Sequence, residues 1–182
     1  MNAAQRRLPG DPPRETSVAR VLRVDHAGEY GAARIYAGQL AMLRRSETAP
    51  VLREMEQQER QHLDRFANLL VDRRVRPTAM LPLWHLAGFA LGAATAALGE
   101  RAAMACTVAV EEAIDAHYAE QIAALDDGEA ELRATLSRVR DDELQHRDIA
   151  LQHGAERAPG YRLLSAAIKA GCRVAIRISE RI

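Results

Sequence analysis

The sequence predicts an all-α protein: a bundle of four long helices, an apolar crossover helix between the second and third, and an amphipathic helix at the C-terminus. Three observations predict it. Apolar residues recur at helix-face spacing through most of the chain, no segment alternates in the β-branched pattern of a strand, and aromatic residues are only 4% of the 182, with Ala, Leu, Arg and Glu abundant. At 48% hydrophobic content this length suits one domain with one core.

Residues 1–15 lie ahead of that domain. The stretch MNAAQRRLPGDPPRETS is basic and rich in Pro and Gly, with no apolar run, so we expect a disordered lead-in to a domain spanning 16–182. The first helix begins at Thr16 or Ser17 and runs to about Arg45, with Val18, Val21, Leu22, Ala32, Ile35, Tyr36, Leu40 and Leu43 on its apolar face. Gly28 and Gly31 interrupt it on either side of Glu29. Each costs about 1 kcal/mol relative to alanine in a helix, so close packing or function is expected to keep them there. SETAP at 46–50 turns the chain, with Thr48 as cap and Pro50 in the first turn of a helix reaching about residue 73.

Residues 77–99 carry no Asp, Glu, Lys or Arg. Their length approaches that of a membrane span, but Pro82, His85, Thr95 and the glycines make a poor one. Two readings stay open: a buried crossover helix, or a segment that lies in a membrane interface or lines an entrance for an apolar ligand. A third bundle helix runs from Glu100 to the stop at Asp126-Asp127-Gly128, and a fourth from Glu129 to His153. After Ala158-Pro159-Gly160, Leu163, Leu164, Ile168 and Ile176 set against Arg162, Lys169, Arg173 and Arg177 make a basic amphipathic helix, fit to close the bundle or to meet anionic lipid.

Charge narrows the function. Twenty-five basic and 25 acidic residues cancel, which argues against a nucleic-acid partner. Cys106 and Cys172 are isolated in apolar surroundings and form no disulfide framework, as suits a reducing compartment.

The chemistry lies in a repeat. QQERQHLDRF holds Glu59 and His62 three positions apart, and DDELQHRD repeats the spacing in Glu143 and His146. Glu29 in DHAGEYGAARIY precedes the first pair by 30 residues, and Glu111 or Glu112 in VAVEEAIDAHY precedes the second by about 32. Positions i and i+3 differ by about 60° around a helix, so such a Glu and His face one ion together. Four carboxylates and two imidazoles on four helices are the ligand set of a dimetal carboxylate site in a ferritin-like bundle. Four negative charges balance two divalent cations, which makes burial tolerable. Carboxylate-rich ligation favours iron or manganese over zinc or copper.

Helix phase selects Glu111, which shares a face with Val108, Ile114, Asp115 and Tyr118. Tyr36 and Tyr118 each follow their own helix's glutamate by seven residues, which suits either a place near the metals or core packing with one satisfied hydroxyl. Asp25 and Asp115 are positioned either to orient a ligand or to face solvent. His26 and His117 lie beside them, at the polar end of the cluster.

RVDHAGEYGAARIYAGQL, MACTVAVEEAIDAHYAEQI, RDDELQHRDIAL and AGCRVAIRISERI resemble the demethoxyubiquinone hydroxylase family over about residues 20–182. The resemblance implies a ferritin-like di-iron monooxygenase with Glu29, Glu59, His62, Glu111, Glu143 and His146 as ligands to two iron ions. Glu59 and Glu143 would bridge the metals, with Glu29 and Glu111 terminal. It carries over His117 and Tyr118 as catalytic candidates. The implied reaction is O₂-dependent hydroxylation of 2-polyprenyl-3-methyl-6-methoxy-1,4-benzoquinol in ubiquinone biosynthesis. The implied partners are this quinol, O₂, the membrane surface, and a further copy of the chain or accessory proteins of the same route. The short N-terminus lacks an Arg/Ser-rich presequence, so the expected setting is the cytoplasmic side of a bacterial membrane, bound peripherally. A ferritin-like iron oxidase without organic substrate is the competing reading, and the uncharged 77–99 segment and the tail helix speak against it.

Overall fold

A computed structural model describes residues 14–182, with side chains from residue 17 onward, and the expected lead-in lies outside them. All regular structure in this range is helical. The helices are α1 (Arg14–Leu43), α2 (Ala49–Asp72), α3 (Leu81–Ala97), α4 (Glu100–Ala124), α5 (Ala130–Gln152) and α6 (Tyr161–Ser179), with short 3₁₀ turns at Asp127–Glu129 and Ala155–Arg157. The ends of the four bundle helices fall within about two residues of their expected places, while α3 fills only the middle of the uncharged 77–99 segment and α6 stops at Ser179, three residues short of the expected 182. Thr48 does not cap α2: its backbone is already helical, and its hydroxyl pairs with Ser46 Oγ at 2.9 Å. Pro50 occupies the first turn, where a missing N–H costs nothing.

Cross-helix pairs fix the topology. His62 meets Glu29, and Arg53 meets the Arg44 carbonyl, so α1 and α2 are antiparallel. Tyr36 meets Glu111 and Tyr118 meets Glu29, so α4 also runs against α1. α5 opposes α2 through Gln58 with His146 and Arg73 with Glu129. These four helices are the ferritin-like bundle. α3 is the crossover from α2 to α4 and lies parallel to α1, while α6 packs chiefly on α4.

The α1–α3 contact depends on glycine. A Cβ on Gly92 would stand 2.0 Å from the Ile35 carbonyl oxygen, and one on Gly38 2.2 Å from that of Phe89. Backbone therefore lies against backbone along α3. Gly28 and Gly31 behave differently: a Cβ on either meets nothing within 4 Å. Close packing of their own faces does not explain them.

The core divides around a polar layer. Tyr36, Leu52, Met55, Met104 and Val108 pack at one end of the bundle, and Leu22, Phe66, Tyr118, Leu136 and Val139 at the other. On α2 the first cluster ends at Met55 and the second resumes at Phe66; on α5 the gap lies between Val139 and Ala150. Glu59 and His62 fill one gap, Glu143 and His146 the other. Among the described residues, no helix is long and apolar enough to cross a membrane.

Candidate metal centre

The polar layer brings together the six residues expected from the sequence. Glu29, Glu59, Glu111, Glu143 and His146 are at most 2% exposed and His62 is 5% exposed. They form two groups, Glu29 with Glu59, His62 and Glu143, and Glu59 with Glu111, Glu143 and His146, in each of which one donor atom per residue lies within 4.8 Å of the others. Glu59 and Glu143 belong to both groups, so a pair of cations held there would share them.

Each imidazole turns one nitrogen inward and one outward. His62 Nδ1 lies 3.1 Å from Glu143 Oε1 and 3.4 Å from Glu29 Oε2, while its Nε2 lies 3.0 Å from Asp142 Oδ2. His146 Nδ1 lies 3.1 Å from Glu59 Oε1 and 3.2 Å from Glu143 Oε2, and its Nε2 lies 2.6 Å from Gln58 Oε1. An outer nitrogen that donates to an oxygen fixes the tautomer and leaves the inner lone pair free for a metal. Asp142 and Gln58 therefore orient the histidines. Neither was singled out in the sequence, yet each directly precedes the Glu of a Glu-x-x-His, and each serves the His of the other motif.

The electrostatics of the layer call for positive charge. Burial, and after it the neighbouring Glu143, pushes the carboxyls of Glu59 and Glu111 well above the ordinary range, and burial also raises Glu29. Burial works the same way on Glu143, but the imidazoles of His146 and His62 outweigh it and bring it down to about 2. Burial would lower His62, yet Glu143 and Glu29 carry it up to about 11. Without a metal, protonated carboxyls and imidazolium supply the neutralising charge. Glu29 Oε2 and Glu59 Oε1 are buried with only an imidazole nitrogen nearby, at 3.4 and 3.1 Å and not aligned for a hydrogen bond, and Glu111 Oε2 is buried without a hydrogen bond. Unmet carboxylate oxygens facing one another are costly, and cations would satisfy them. The donor set thus fits two hard or borderline divalent ions such as iron or manganese.

Around this layer the tyrosines are crossed. Tyr36 Oη donates to Glu111 Oε1 at 2.9 Å, and Tyr118 Oη to Glu29 Oε1 at 2.5 Å. Each serves the glutamate of the other helix, not its own. Asp25 is buried and accepts from Gln121 Nε2 at 2.7 Å, and the same amide lies 2.9 Å from His117 Nε2. His117 makes no described contact with any of the six. Asp115 pairs outward with Arg140 at 2.6 Å, and Glu112 pairs with Lys169 of α6, consistent with the phase that selected Glu111. His85 bonds Tyr30 at 2.7 Å.

Beside the layer, between α1, α3, α4 and α6, lies a cavity of about 580 Å³ with apolar walls that include Gly28, Gly31, Ala32, Ile35, Leu91, Val110 and Ile168. Gly28 and Gly31 leave the room that side chains would fill. Trp84 Nε1 donates to Ser179 Oγ at 3.0 Å and joins α3 to α6 at one end. Ala32, Ile35 and Val110 also line a narrow void that reaches Glu111.

Comparison with known proteins gives the family. The family described as "Ubiquinone biosynthesis protein COQ7" matches residues 16–179. The chain is 58% identical over 180 residues to a 3-demethoxyubiquinol 3-hydroxylase of Rhodospirillum rubrum, covering 98% of this chain and 85% of that protein. It is 56% identical over 170 residues to the human mitochondrial NADPH-dependent 3-demethoxyubiquinone 3-hydroxylase, covering 91% and 78%. It is 44% identical over 180 residues to a mitochondrial 5-demethoxyubiquinone hydroxylase of Saccharomyces cerevisiae, covering 90% and 77%.

Proposed function

Because the chain belongs to the COQ7 family of ubiquinone biosynthesis proteins, we propose that it is a 3-demethoxyubiquinol 3-hydroxylase that works as a di-iron, O₂-dependent monooxygenase. The observation that carries the reading is an apolar cavity whose wall includes Gly28 and Val110, the chain neighbours of Glu29 and Glu111, beside two overlapping carboxylate and imidazole groups. A polyprenyl benzoquinol needs both an apolar channel for its tail and an oxidising centre beside its ring.

Glu29, Glu59, His62, Glu111, Glu143 and His146 would hold two ions, Glu59 and Glu143 being the residues common to both groups. When bound, an iron pair would supply O₂ activation for a hydroxylation in which an external reductant gives two electrons and solvent two protons, so that one oxygen atom enters the ring C–H bond and the other leaves as water. The chain's own residues do the rest. Asp142 and Gln58 keep the imidazole lone pairs inward. Tyr36 and Tyr118 hold Glu111 and Glu29 by single hydrogen bonds and so limit their rotation. Apolar walls keep bulk water from the reacting ring. Tyr118 remains the catalytic candidate in contact with the cluster, while His117 acts on it only at a distance, through Gln121 and Asp25.

A polyprenyl tail on the substrate supports a place for the protein at a bilayer surface. Leu83 and Leu86 on α3 are 47% and 68% exposed, and Leu163 and Val174 on α6 are 78% and 55% exposed, alongside exposed Arg162, Arg173 and Arg177. Apolar side chains flanked by basic ones suit peripheral attachment to anionic lipid on the cytoplasmic side of a bacterial membrane.

The test is iron stoichiometry together with O₂ uptake by anaerobically reduced protein, with and without a short-chain demethoxyquinol. Two irons per chain and a product one oxygen atom heavier are expected. Uptake that ignores the quinol would instead identify a ferritin-like oxidase.

A further inference from the structure

Gly28 and Gly31 weaken α1 without any close packing of their own to justify them. What stands across the cavity from Gly28 is an aromatic ring. A Cβ on Gly92 would meet the backbone of Ile35 and one on Gly88 that of Gly31, so α3 keeps step with α1 turn for turn. One turn further back, Trp84 falls level with Ala27 and Gly28, and all three line the cavity. Gly28 is the chain neighbour of Glu29. The cavity beside that glutamate therefore has bare helix backbone on one side and an indole on the other.

Trp84 is the one aromatic residue among the described residues of the cavity wall, which is otherwise aliphatic apart from Cys172 and Ser179. The indole is held from the far side. Its Nε1 donates to Ser179 Oγ at 3.0 Å, although α3 and α6 hardly touch along their lengths. Ser179 is itself buried, so the tie is shielded from water. A bond from the indole N–H across a gap between two helices restricts both side-chain torsions of the tryptophan. The N–H edge is thus committed to α6, and the apolar remainder of the ring is left to the cavity.

We propose that Trp84 is the specificity-determining wall of this cavity: the benzoquinol ring stacks on its indole in the space left by Gly28 and Gly31, and Ser179 is the positioning residue that sets the angle of the indole. The inference rests on the hydroxylase reading above. A quinol or quinone ring is flat, and it fits between an indole and a stretch of helix that carries no Cβ. Aliphatic walls accept a prenyl tail and a ring alike, whereas an aromatic wall favours the ring by offset stacking. That preference brings the ring, and not the tail, to the part of the cavity beside Glu29.

The experiment uses the resting iron-loaded full chain and two ligands, a short-chain demethoxyquinone and farnesol, a prenyl alcohol without a ring. Trp84 is the one tryptophan of the sequence, so a long-wavelength charge-transfer band between indole and quinone reports contact at this residue alone. Wild-type protein should show the band. Trp84→Leu should keep its iron, lose the band and bind the quinone roughly two- to tenfold more weakly, with farnesol affinity unchanged. Trp84→Phe should recover most of the quinone affinity. Ser179→Ala keeps the indole but frees it, and should weaken the band and the quinone affinity by a smaller factor, both restored by Ser179→Thr. If Trp84→Leu does not fold, Gly28→Ala probes the opposite wall and should weaken the quinone more than farnesol. Equal losses for the two ligands, or an unchanged quinone affinity, would overturn the role of Trp84 and leave the hydroxylase reading standing. Loss of iron in Trp84→Leu would overturn it in favour of a structural duty to the bundle. Failure of the wild-type protein to bind the quinone at all would overturn the hydroxylase reading, and this inference with it.

Discussion

Tyr118 of α4 donates its hydroxyl to Glu29 of α1 across the bundle, and Tyr36 of α1 returns the same contact to Glu111 of α4. The two halves of the internal repeat are thereby interlocked. Each tyrosine orients a carboxylate that its own helix does not carry.

Tyr118→Phe should leave iron content at the wild-type level, because the hydroxyl touches a ligand and not an ion. It should cost about 1–3 kcal/mol of stability by leaving Glu29 Oε1 without its donor. Metal analysis beside a thermal melt checks both, and lost iron would mean that Tyr118 holds the site together.

Glu143→Ala should abolish metal binding altogether, because Glu143 belongs to both groups and faces both imidazoles. Glu29→Ala touches only one group and should leave one ion in place. Iron per folded chain distinguishes the shared carboxylate from the terminal one. Equal losses in the two variants would refute the division into two overlapping sites.

Gly92→Ala should destabilise by about 1–3 kcal/mol, since its methyl would meet backbone that cannot swing aside. Gly28→Ala should instead stabilise by roughly 0.4–1 kcal/mol while narrowing the cavity. Denaturant midpoints of the two variants should move in opposite directions.

The two thiols should be sluggish. Burial pushes Cys106 up to about 12 and Cys172 up to about 11. Only the thiolate reacts, so at pH 8 about one Cys172 in a thousand is ready, and its alkylation rate should rise about tenfold per pH unit toward 11. Cys172, partly exposed on the cavity wall, should react before fully buried Cys106. Mass spectrometry after timed alkylation gives the order, and a bound quinone should protect Cys172.

Iron removal should reverse the pH dependence of stability. In the metal-free protein Glu59, Glu111 and Glu29 sit above the ordinary value of 4.5, so their contribution is full below that value and is lost as pH rises through the raised ones. His62, raised from 6.5 to about 11, acts in the same direction above 6.5. Glu143, lowered to about 2, contributes throughout this window and loses its effect only in strong acid. The metal-free protein should therefore melt higher at pH 5.5 than at pH 8. The iron-loaded protein should lose stability toward acid, because ligands must be deprotonated to bind. Paired melts at the two pH values, with and without a chelator, decide it.

Helical periodicity determined the six helices, and the i, i+3 spacing determined Glu59 with His62 and Glu143 with His146, because the face on which a residue lies is a local property of a helix. Phase likewise separated Glu111 from Glu112, which pairs with Lys169 on the surface. Which helix each face meets is not local. The crossing of four helices decided that Tyr118 serves Glu29, that Asp142 and Gln58 orient the histidines of the opposite motif, and that His117 stands one amide away from Asp25. It also decided that Gly28 and Gly31 open onto a cavity while Gly38 and Gly92 close a helix contact. All four are only glycines within an apolar pattern until α3 is laid along α1. The chain's chemistry was written in spacing along single helices, and the partners of that chemistry exist only where separate helices cross.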